Sequence, residues 1–194
     1  LLSTQKISIC HVNRLIENNA IFYYNLGSNK LKDKNFEGAI PYFTKAIKIN
    51  PCDSDAYRER GYAKVKLEDY EEAIIDYEKG IELNPNDGYP YFARGIAKVN
   101  KEDYEGGIAD FTKAIEINPD DGDAYLQRGI AKENLEDYKG AIADFTKAIE
   151  INPDDGYAYI NSGYAKVNLG DYKGGASYRN KGLGIHAKNK INIS

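Results

Sequence analysis

A chain of 194 residues with 42% hydrophobic and 29% charged side chains has the composition of a folded protein rather than a disordered one. No apolar run approaches the roughly 18 residues that a transmembrane helix needs, so the sequence predicts no membrane partner. The net charge of −4 conceals an uneven distribution. Residues 1–53 carry 7 basic and 4 acidic side chains, residues 54–155 carry 13 and 25, and residues 156–194 carry 6 and 1. The acidic middle would repel phosphate groups, so nucleic acid is not expected as a partner.

The chain begins at Leu1 and contains no methionine, so we expect a fragment or a processed product whose targeting signals are not visible. The localisation is therefore unknown, and for a soluble chain the cytoplasm is the favoured expectation. Cys10 and Cys52 lack the spacing of metal ligands, and we interpret them as two free thiols.

The first predicted element lies in residues 1–19. Four apolar residues there recur at roughly helical spacing, namely Ile9, Val12, Leu15 and Ile16. This pattern favours a helix that covers the element after it, and a disordered leader is the alternative.

The rest of the chain repeats every 34 residues. The pairs Asn50-Pro51, Asn84-Pro85, Asn118-Pro119 and Asn152-Pro153 each follow the previous pair by that interval. With the proline at place 32, five repeats fit without gaps: 20–53, 54–87, 88–121, 122–155 and 156–189, followed by a tail at 190–194.

Each repeat has the pattern of two helices. Two apolar stripes at helical spacing are separated by an aspartate that can cap the second helix, as at Asp69, Asp103, Asp137 and Asp171. In the second repeat, Glu72 is expected to complete a capping box with Asp69. The Asn-Pro pair then ends the second helix, because proline disfavours helical conformation in the residue before it. The pattern predicts an all-α protein.

The repeated residues resemble the tetratricopeptide-repeat family. Place 4 is Tyr23, Tyr57, Tyr91, Tyr125 and Tyr159, and place 8 is Gly27, Gly61, Gly95, Gly129 and Gly163. Place 20 is alanine or glycine, and place 24 is aromatic in the first four repeats. The resemblance implies a solenoid of helical hairpins wound as a right-handed superhelix, with small residues where the two helices cross. It also implies a protein or peptide partner.

Two predicted helices depart from the expected pattern. Pro41 lies beyond the first turn of its helix and should kink it. The fifth repeat has Arg179 at place 24, and it carries Gly174, Gly175, Gly182 and Gly184 in its second helix. Each interior glycine costs about 1 kcal/mol relative to alanine, so this helix is expected to fray or to act as a polar terminal cap.

Catalytic and metal-binding patterns are not evident. The two histidines, His11 and His186, lie in the irregular ends and are interpreted as surface residues. The Asp120-Asp121 and Asp154-Asp155 pairs fall in turns, where capping carboxylates explain them better than a cation site. We therefore predict no enzyme activity, no metal and no cofactor.

The resemblance predicts a ligand groove lined by places 2, 5, 9, 12 and 13 of the first helices. The predicted peptide-binding residues are Tyr24, Tyr62, Tyr89, Phe92, Ile96, Asn100, Leu126, Ile130, Asn134, Tyr157, Ile160, Tyr164 and Asn168. The binding energy is expected to concentrate around a set of five residues outside the face that packs the helices, namely Tyr89, Phe92, Ile96, Leu126 and Ile130. Phe92→Ala with Ile130→Ala should therefore leave the melting temperature nearly unchanged. The recurring asparagines could hold a peptide backbone, or could recur through duplication alone.

The family's carboxylate clamp for chaperone tails has no counterpart here, because Arg58 is followed by Tyr62 and Ala93 at the places that the clamp requires. Binding of such tails is therefore not predicted.

Arginine at place 7 and aspartate at place 23 occur together. The predicted ion pairs join Arg60 to Asp76, Arg94 to Asp110 and Arg128 to Asp144, with the lysine of place 11 alongside. Repeats without the arginine have Tyr42 or Tyr178 instead of the aspartate.

Three functions fit these patterns. The leading one is a scaffold or adaptor that binds a peptide through aromatic and apolar contacts. A self-assembling scaffold joined through solenoid ends is the second, and the recruiting arm of a larger enzyme is the third.

Overall fold

The computed structural model describes the backbone of residues 9–191 and the side chains of residues 18–188. Within these residues there are ten α-helices and no strand. The helices are α1 (Ile9–Lys32), α2 (Phe36–Ile49), α3 (Ser54–Lys66), α4 (Tyr70–Leu83), α5 (Gly88–Asn100), α6 (Tyr104–Ile117), α7 (Gly122–Asn134), α8 (Tyr138–Ile151), α9 (Gly156–Asn168) and α10 (Tyr172–Ile191). The predicted all-α fold class is confirmed.

The helices form two compact units, Leu1–Asn86 and Asp87–Ser194, which we describe separately. In the first unit α1 packs on α2 and α3 packs on α4, and in the second the pairs are α5 with α6, α7 with α8, and α9 with α10. Each pair is the helical hairpin predicted for one repeat. Within a unit the second helix of one hairpin also packs on the first helix of the next.

Helix α1 begins at Ile9 and continues without interruption to Lys32. Residues 9–19 therefore extend the first helix of the first repeat and do not form a separate hairpin helix. Residues 1–8 and the side chains of Cys10, His11, Val12, Leu15 and Ile16 lie outside the described residues.

The glycine at place 8 allows the two helices of a hairpin to meet. A Cβ added to Gly61 would lie 2.9 Å from the Tyr77 ring, and one added to Gly129 would lie 2.6 Å from the Phe145 ring. Tyr77 and Phe145 are at place 24 and are fully buried, with 1% and 0% exposure. The place 24 ring thus occupies the volume that a place 8 side chain would need, which confirms the expected close approach.

Most second helices begin at the predicted aspartate cap. The side chains of Asp103, Asp137 and Asp171 each accept a hydrogen bond from the backbone N–H three residues later. Asp69 makes no such bond, and the expected capping box with Glu72 is wrong. The Glu72 carboxylate lies 3.4 Å from Nζ of Lys64, so it interacts with the first helix of the hairpin and not with its own helix start.

The predicted arginine–aspartate contacts are present in all three middle hairpins, and each aspartate also meets the place 11 lysine. Arg128 Nη2 lies 2.7 Å from Asp144 Oδ1, Arg128 Nε donates to Asp144 Oδ2 at 3.0 Å, and Lys132 Nζ lies 2.8 Å from Oδ2. The same three contacts join Arg60 and Lys64 to Asp76, and Arg94 and Lys98 to Asp110. We call each set of three residues a triad. The aspartates are at most 4% exposed, so each triad is a buried charge cluster between two helices.

The last helix, α10, is continuous from Tyr172 to Ile191, which corrects the expectation that its glycines make it fray. A Cβ on Gly175 would lie 2.6 Å from the Gly163 carbonyl oxygen, and one on Gly182 would lie 2.5 Å from that of Gly156. These two glycines therefore let α10 pack backbone to backbone against α9. Packing offsets the low helix propensity.

His186 is not the surface residue predicted. Its ring packs edge-on against Tyr157, with centroids 4.4 Å apart, and its Nε2 is buried without a hydrogen bond among the described residues. Helix α10 continues through this region, and His186 lies at the start of α9, where a Cβ added to Gly156 would be 2.9 Å from its Nε2.

Pro41 lies within α2, which remains α-helical from Phe36 to Ile49.

The only cysteine side chain that the structure describes, Cys52, is free and exposed.

Candidate functional site

The candidate site is the surface formed by the first helices of the second unit, α5, α7 and α9, which adjoin one another in that order. We call places 2, 5, 9, 12 and 13 of these helices the first-helix surface. The three helices begin in the same way, because Asp87, Asp121 and Asp155 each cap a backbone N–H of the first turn. These bonds are the capping role predicted for the Asp120-Asp121 and Asp154-Asp155 turns. Because the three helices begin at the same place of their repeats, residues at the same place lie at the same height along each helix.

Three tyrosines are the large exposed residues of this surface. Tyr89 is 44% exposed, Tyr157 is 64% exposed and Tyr164 is 44% exposed. Tyr89 and Tyr157 both occupy place 2, and Tyr164 follows Tyr157 by seven residues, about two helical turns or 10 Å along the same side of α9. The guanidinium of Arg179 lies over the Tyr164 ring, 4.5 Å from its centroid.

Other predicted apolar anchors belong to the core. Leu126 is only 7% exposed and packs with Phe145, Ala148 and Ala158, and Ile130 packs against the same cluster. The Phe92 ring is 5.8 Å from the ring of Phe111. Place 5 and, in α7, place 9 therefore point partly into the hairpin packing.

Phe92 and Ile130 are half-buried against these clusters, so we expect Phe92→Ala with Ile130→Ala to lower the melting temperature and not to leave it nearly unchanged. Truncating buried apolar side chains costs packing as well as any binding contact. Ile96 and Ile160 are half-buried, and a Cβ on Gly182 would lie 2.7 Å from Ile160, so this residue also contacts α10.

The asparagines of place 13 are exposed at the ends of the first helices. Asn100 donates through Nδ2 to the Ile96 carbonyl at 2.8 Å, and Asn134 donates to the Ile130 carbonyl at 2.9 Å. These bonds use the amide N–H within the residue's own helix and leave the side-chain oxygen as an acceptor. Asn168 is exposed at the same place of α9.

In the first unit, the predicted binding residues Tyr24 and Tyr62 are half-buried. Tyr24 packs edge-on against Phe43 at 5.7 Å, and Tyr62 packs against Phe36 at 6.2 Å with Lys66 over its ring. Burial raises the pKa of Tyr24, and the carboxylates of Glu59 and Asp55 raise it further. Both tyrosines thus contribute to packing of their own unit.

A cavity of about 360 Å³ lies where α5 and α7 begin. It is lined by the rings of Tyr89 and Phe92 and by three carboxylates, those of Asp87, Asp121 and Asp123. Burial raises the pKa of Asp123, and the negative charges of Asp121 and Asp155 raise it further. The cavity is therefore a concave site with aromatic and acidic walls. Tyr89 and Asp123 occupy the same place of their repeats, on the predicted groove side of α5 and α7, but no sequence signal predicted this cavity.

A second cavity of about 410 Å³ adjoins it, since Asn118, Asp121 and Asp123 line both. Its remaining wall includes Asp120 and Asp155, so it is more acidic and less aromatic than the first. No group of three or more metal-ligating side chains is found in the described part of the chain. Among those same residues, no helix is both long and apolar enough to cross a membrane.

The sequence profile of the tetratricopeptide repeat matches residues 20–51, 54–87, 89–121 and 122–155. The chain is a tetratricopeptide-repeat protein. The matched ranges follow the predicted 34-residue phase through four repeats, and the hairpin of α9 and α10 lies outside them. No curated protein sequence matches the chain.

Solved tetratricopeptide-repeat structures are similar to it in fold. A crystal structure of MamA superposes with a TM-score of 0.81 at 24% identity, covering 89% of this chain and 94% of that one. MamA from Desulfovibrio magneticus RS-1 gives 0.82 at 22% identity, with coverages of 88% and 96%. YrrB, described as a tetratricopeptide-repeat protein with an unusual peptide-binding site, gives 0.76 at 23% identity, with coverages of 93% and 95%. Sequence identities this low show a shared fold, but they do not indicate a particular ligand.

Proposed function

We propose that this chain is a non-catalytic protein-interaction module that binds an extended peptide or protein segment along the first-helix surface. Its family supports the general role, and the same surface lines the ligand groove predicted from the family resemblance. The observation that carries the proposal is the exposure of three large aromatic side chains, Tyr89, Tyr157 and Tyr164, on this one surface. Tyrosines supply large contact area with a polar tip and are enriched among residues that dominate interface energies.

Of the anchors predicted by sequence, the proposal keeps the three exposed tyrosines and gives a supporting role to the more buried apolar residues. Leu126, Phe92 and Ile130 support the surface from beneath, because they pack against the hairpin cores. The tyrosines at places 2 and 9 project beyond that packing and would contact the ligand. The exposed place 13 asparagines could accept hydrogen bonds from a peptide backbone through their oxygens.

The test is a selection of peptides from a random display library on the full chain, followed by affinity measurement for the selected peptides. The variant Tyr157→Ala with Tyr164→Ala removes two anchors, and each should cost about 2 kcal/mol if it is a hot spot. The matched control is Tyr172→Ala, since Tyr172 is 71% exposed but lies at the start of α10, outside the surface. Circular dichroism melts of the three proteins check that the fold is retained.

The expected result is peptide binding that is lost or weakened at least 30-fold in the double variant and unchanged in Tyr172→Ala. Peptides that bind the double variant as tightly as the unmodified chain would contradict the proposal. A selection that yields no peptide with measurable affinity would contradict it as well.

A further inference from the structure

Resting on the proposed function, we propose that the cavity between the starts of α5 and α7 binds an arginine side chain of the peptide. Its guanidinium would lie beside the Asp123 carboxylate and against the rings of Tyr89 and Phe92. A cavity of about 360 Å³ is at the small end of ligand pockets, which suits a single side chain.

Charge complementarity identifies the occupant as a cation. The walls provide three carboxylates, and their sequence neighbourhood, residues 54–155, carries 25 acidic against 13 basic side chains. Two of the carboxylates, Asp87 and Asp121, cap helix starts, where they offset the positive end of the helix dipole. Asp123 is exposed and has no ion pair among the described residues, so its charge remains available to a ligand.

The second repeat shows how a guanidinium fits beside this aspartate. Asp55 occupies place 2 of that repeat, as Asp123 does in the fourth, and Arg58 at place 5 pairs with it at 2.5 Å. In the fourth repeat place 5 is Leu126, which is buried in the core. The fourth repeat thus keeps the carboxylate and lacks the resident arginine, and a ligand would supply it.

Arginine fits better than lysine because of the aromatic walls. A planar guanidinium stacks on aromatic faces and can pair with a carboxylate through two parallel N–H groups, whereas an ammonium acts as a point charge. Place 2 alternates tyrosine, aspartate and tyrosine at Tyr89, Asp123 and Tyr157. A peptide that runs across these helices would therefore present the arginine between two apolar or aromatic residues.

The experiment uses peptides selected on the full chain and resynthesised with citrulline at each arginine, which keeps the shape and removes the charge. Their affinities are measured for the unmodified chain, for Asp123→Asn and for Asp154→Asn. Asp154 is the matched control, because it is an exposed turn aspartate that lines neither cavity. Acetyl-arginine methylamide serves as a second probe. Its binding is monitored by NMR through the backbone amide signals of Tyr89 and Asp123.

We expect the selected peptides to contain a recurrent arginine, and citrulline or Asp123→Asn to weaken binding about three- to tenfold, as for a partly exposed charge-assisted contact. The combined change should weaken it no further, and Asp154→Asn should have no effect. The arginine probe should shift both amide signals in the unmodified chain, and less in Asp123→Asn.

Selected peptides without a recurrent basic residue, or equal affinity for arginine and citrulline, would overturn the inference. If those peptides still lost affinity in Tyr157→Ala with Tyr164→Ala, the proposed function would stand while this inference failed. Self-association of the chain that Asp123→Asn abolishes would assign the cavity to a second copy and would also overturn it.

Discussion

Removing the aspartate of one triad should destabilise the protein strongly. Asp144 is 4% exposed and receives three close cationic contacts, two from Arg128 and one from Lys132. Asp144→Ala would leave both cations between α7 and α8 without their anion. Breaking a buried pair from one side costs about 3–5 kcal/mol.

The two cations are not fully enclosed, which sets the expected magnitude. The side chains of Arg128 and Lys132 retain 16% and 22% exposure, and Arg128 also donates to Thr112 at 3.1 Å. Partial hydration and this remaining bond place the expected loss near the lower limit, at about 3 kcal/mol. For a chain of this length that corresponds to about 6–12 °C in melting temperature.

The chain itself provides the compensating substitution. Repeats one and five have Leu26 or Ser162 at place 7 and tyrosine at place 23. In repeat five the place 11 lysine, Lys166, lies 4.9 Å from the centroid of the Tyr178 ring. Arg128→Leu with Asp144→Tyr should therefore remove one cation and give Lys132 an aromatic partner. We expect it to recover more than half of the loss.

Urea and thermal denaturation followed by circular dichroism measure both variants. Lys147→Ala is the control, because it breaks the 2.6 Å ion pair between Lys147 and Glu150. Both of these side chains are more than half exposed. That control should cost far less stability than Asp144→Ala, because exposed ion pairs are screened by solvent and contribute little. If Asp144→Ala lost no more stability than Lys147→Ala, or if the double substitution were as unstable as Asp144→Ala, the triads would not be the coupled buried clusters described here.

Two further changes are expected to alter stability. Gly182→Ala should destabilise the protein by about 1–3 kcal/mol, because the added Cβ would lie 2.5 Å from the Gly156 carbonyl oxygen. Gly184→Ala should stabilise it by about 1 kcal/mol, because no neighbouring part of the protein lies within 4 Å of the added Cβ. Thermal melts decide this, and equal effects of the two alanines would refute the close packing of α9 and α10. Glu133→Val should stabilise at neutral pH, because burial raises the pKa of Glu133 above its ordinary value of 4.5 and the carboxylate therefore destabilises the folded state. This gain should shrink as the pH falls through the raised pKa towards values below 4.5, where the carboxyl is neutral in both states, and a gain that is independent of pH in denaturation titrations would contradict the assignment.

The sequence predicted those features that depend on spacing within one repeat. The helix limits follow from the aspartate caps and the Asn-Pro pairs, and the close approach of the helices follows from glycine at place 8 opposite an aromatic at place 24. The triads were also predictable, because arginine and aspartate appear and disappear together across repeats. Such signals need no knowledge of how neighbouring hairpins pack.

Features that depend on packing between hairpins were not predicted. Helical phase alone placed Leu126 on the open side of α7, but Leu126 belongs to a buried cluster that includes Ala158 and Ala165 of the following hairpin. The left-handed backbone conformation in the turn between the two helices of a hairpin was not predicted either. It occurs at place 15, which is Lys34, Glu68, Glu102 and Glu136 in the first four repeats. Gly170 occupies the same place 15 with φ of +87°, and this glycine was the one sequence signal for a left-handed turn residue.

Place 5 and place 2 divide the roles of the first-helix surface. Place 5 is buried or half-buried at Tyr24, Phe92 and Leu126, where it packs on a place 24 ring or core cluster, so truncating these side chains costs packing. Place 2 is exposed at Asp55, Tyr89, Asp123 and Tyr157, and it changes between acidic and aromatic residues without altering the hairpin. A repeat protein can vary its ligand contacts only at places that its packing does not use. Ligand selectivity in this chain should therefore reside at place 2 and at the exposed Tyr164 of place 9, with place 5 setting the shape of the surface from which those side chains project.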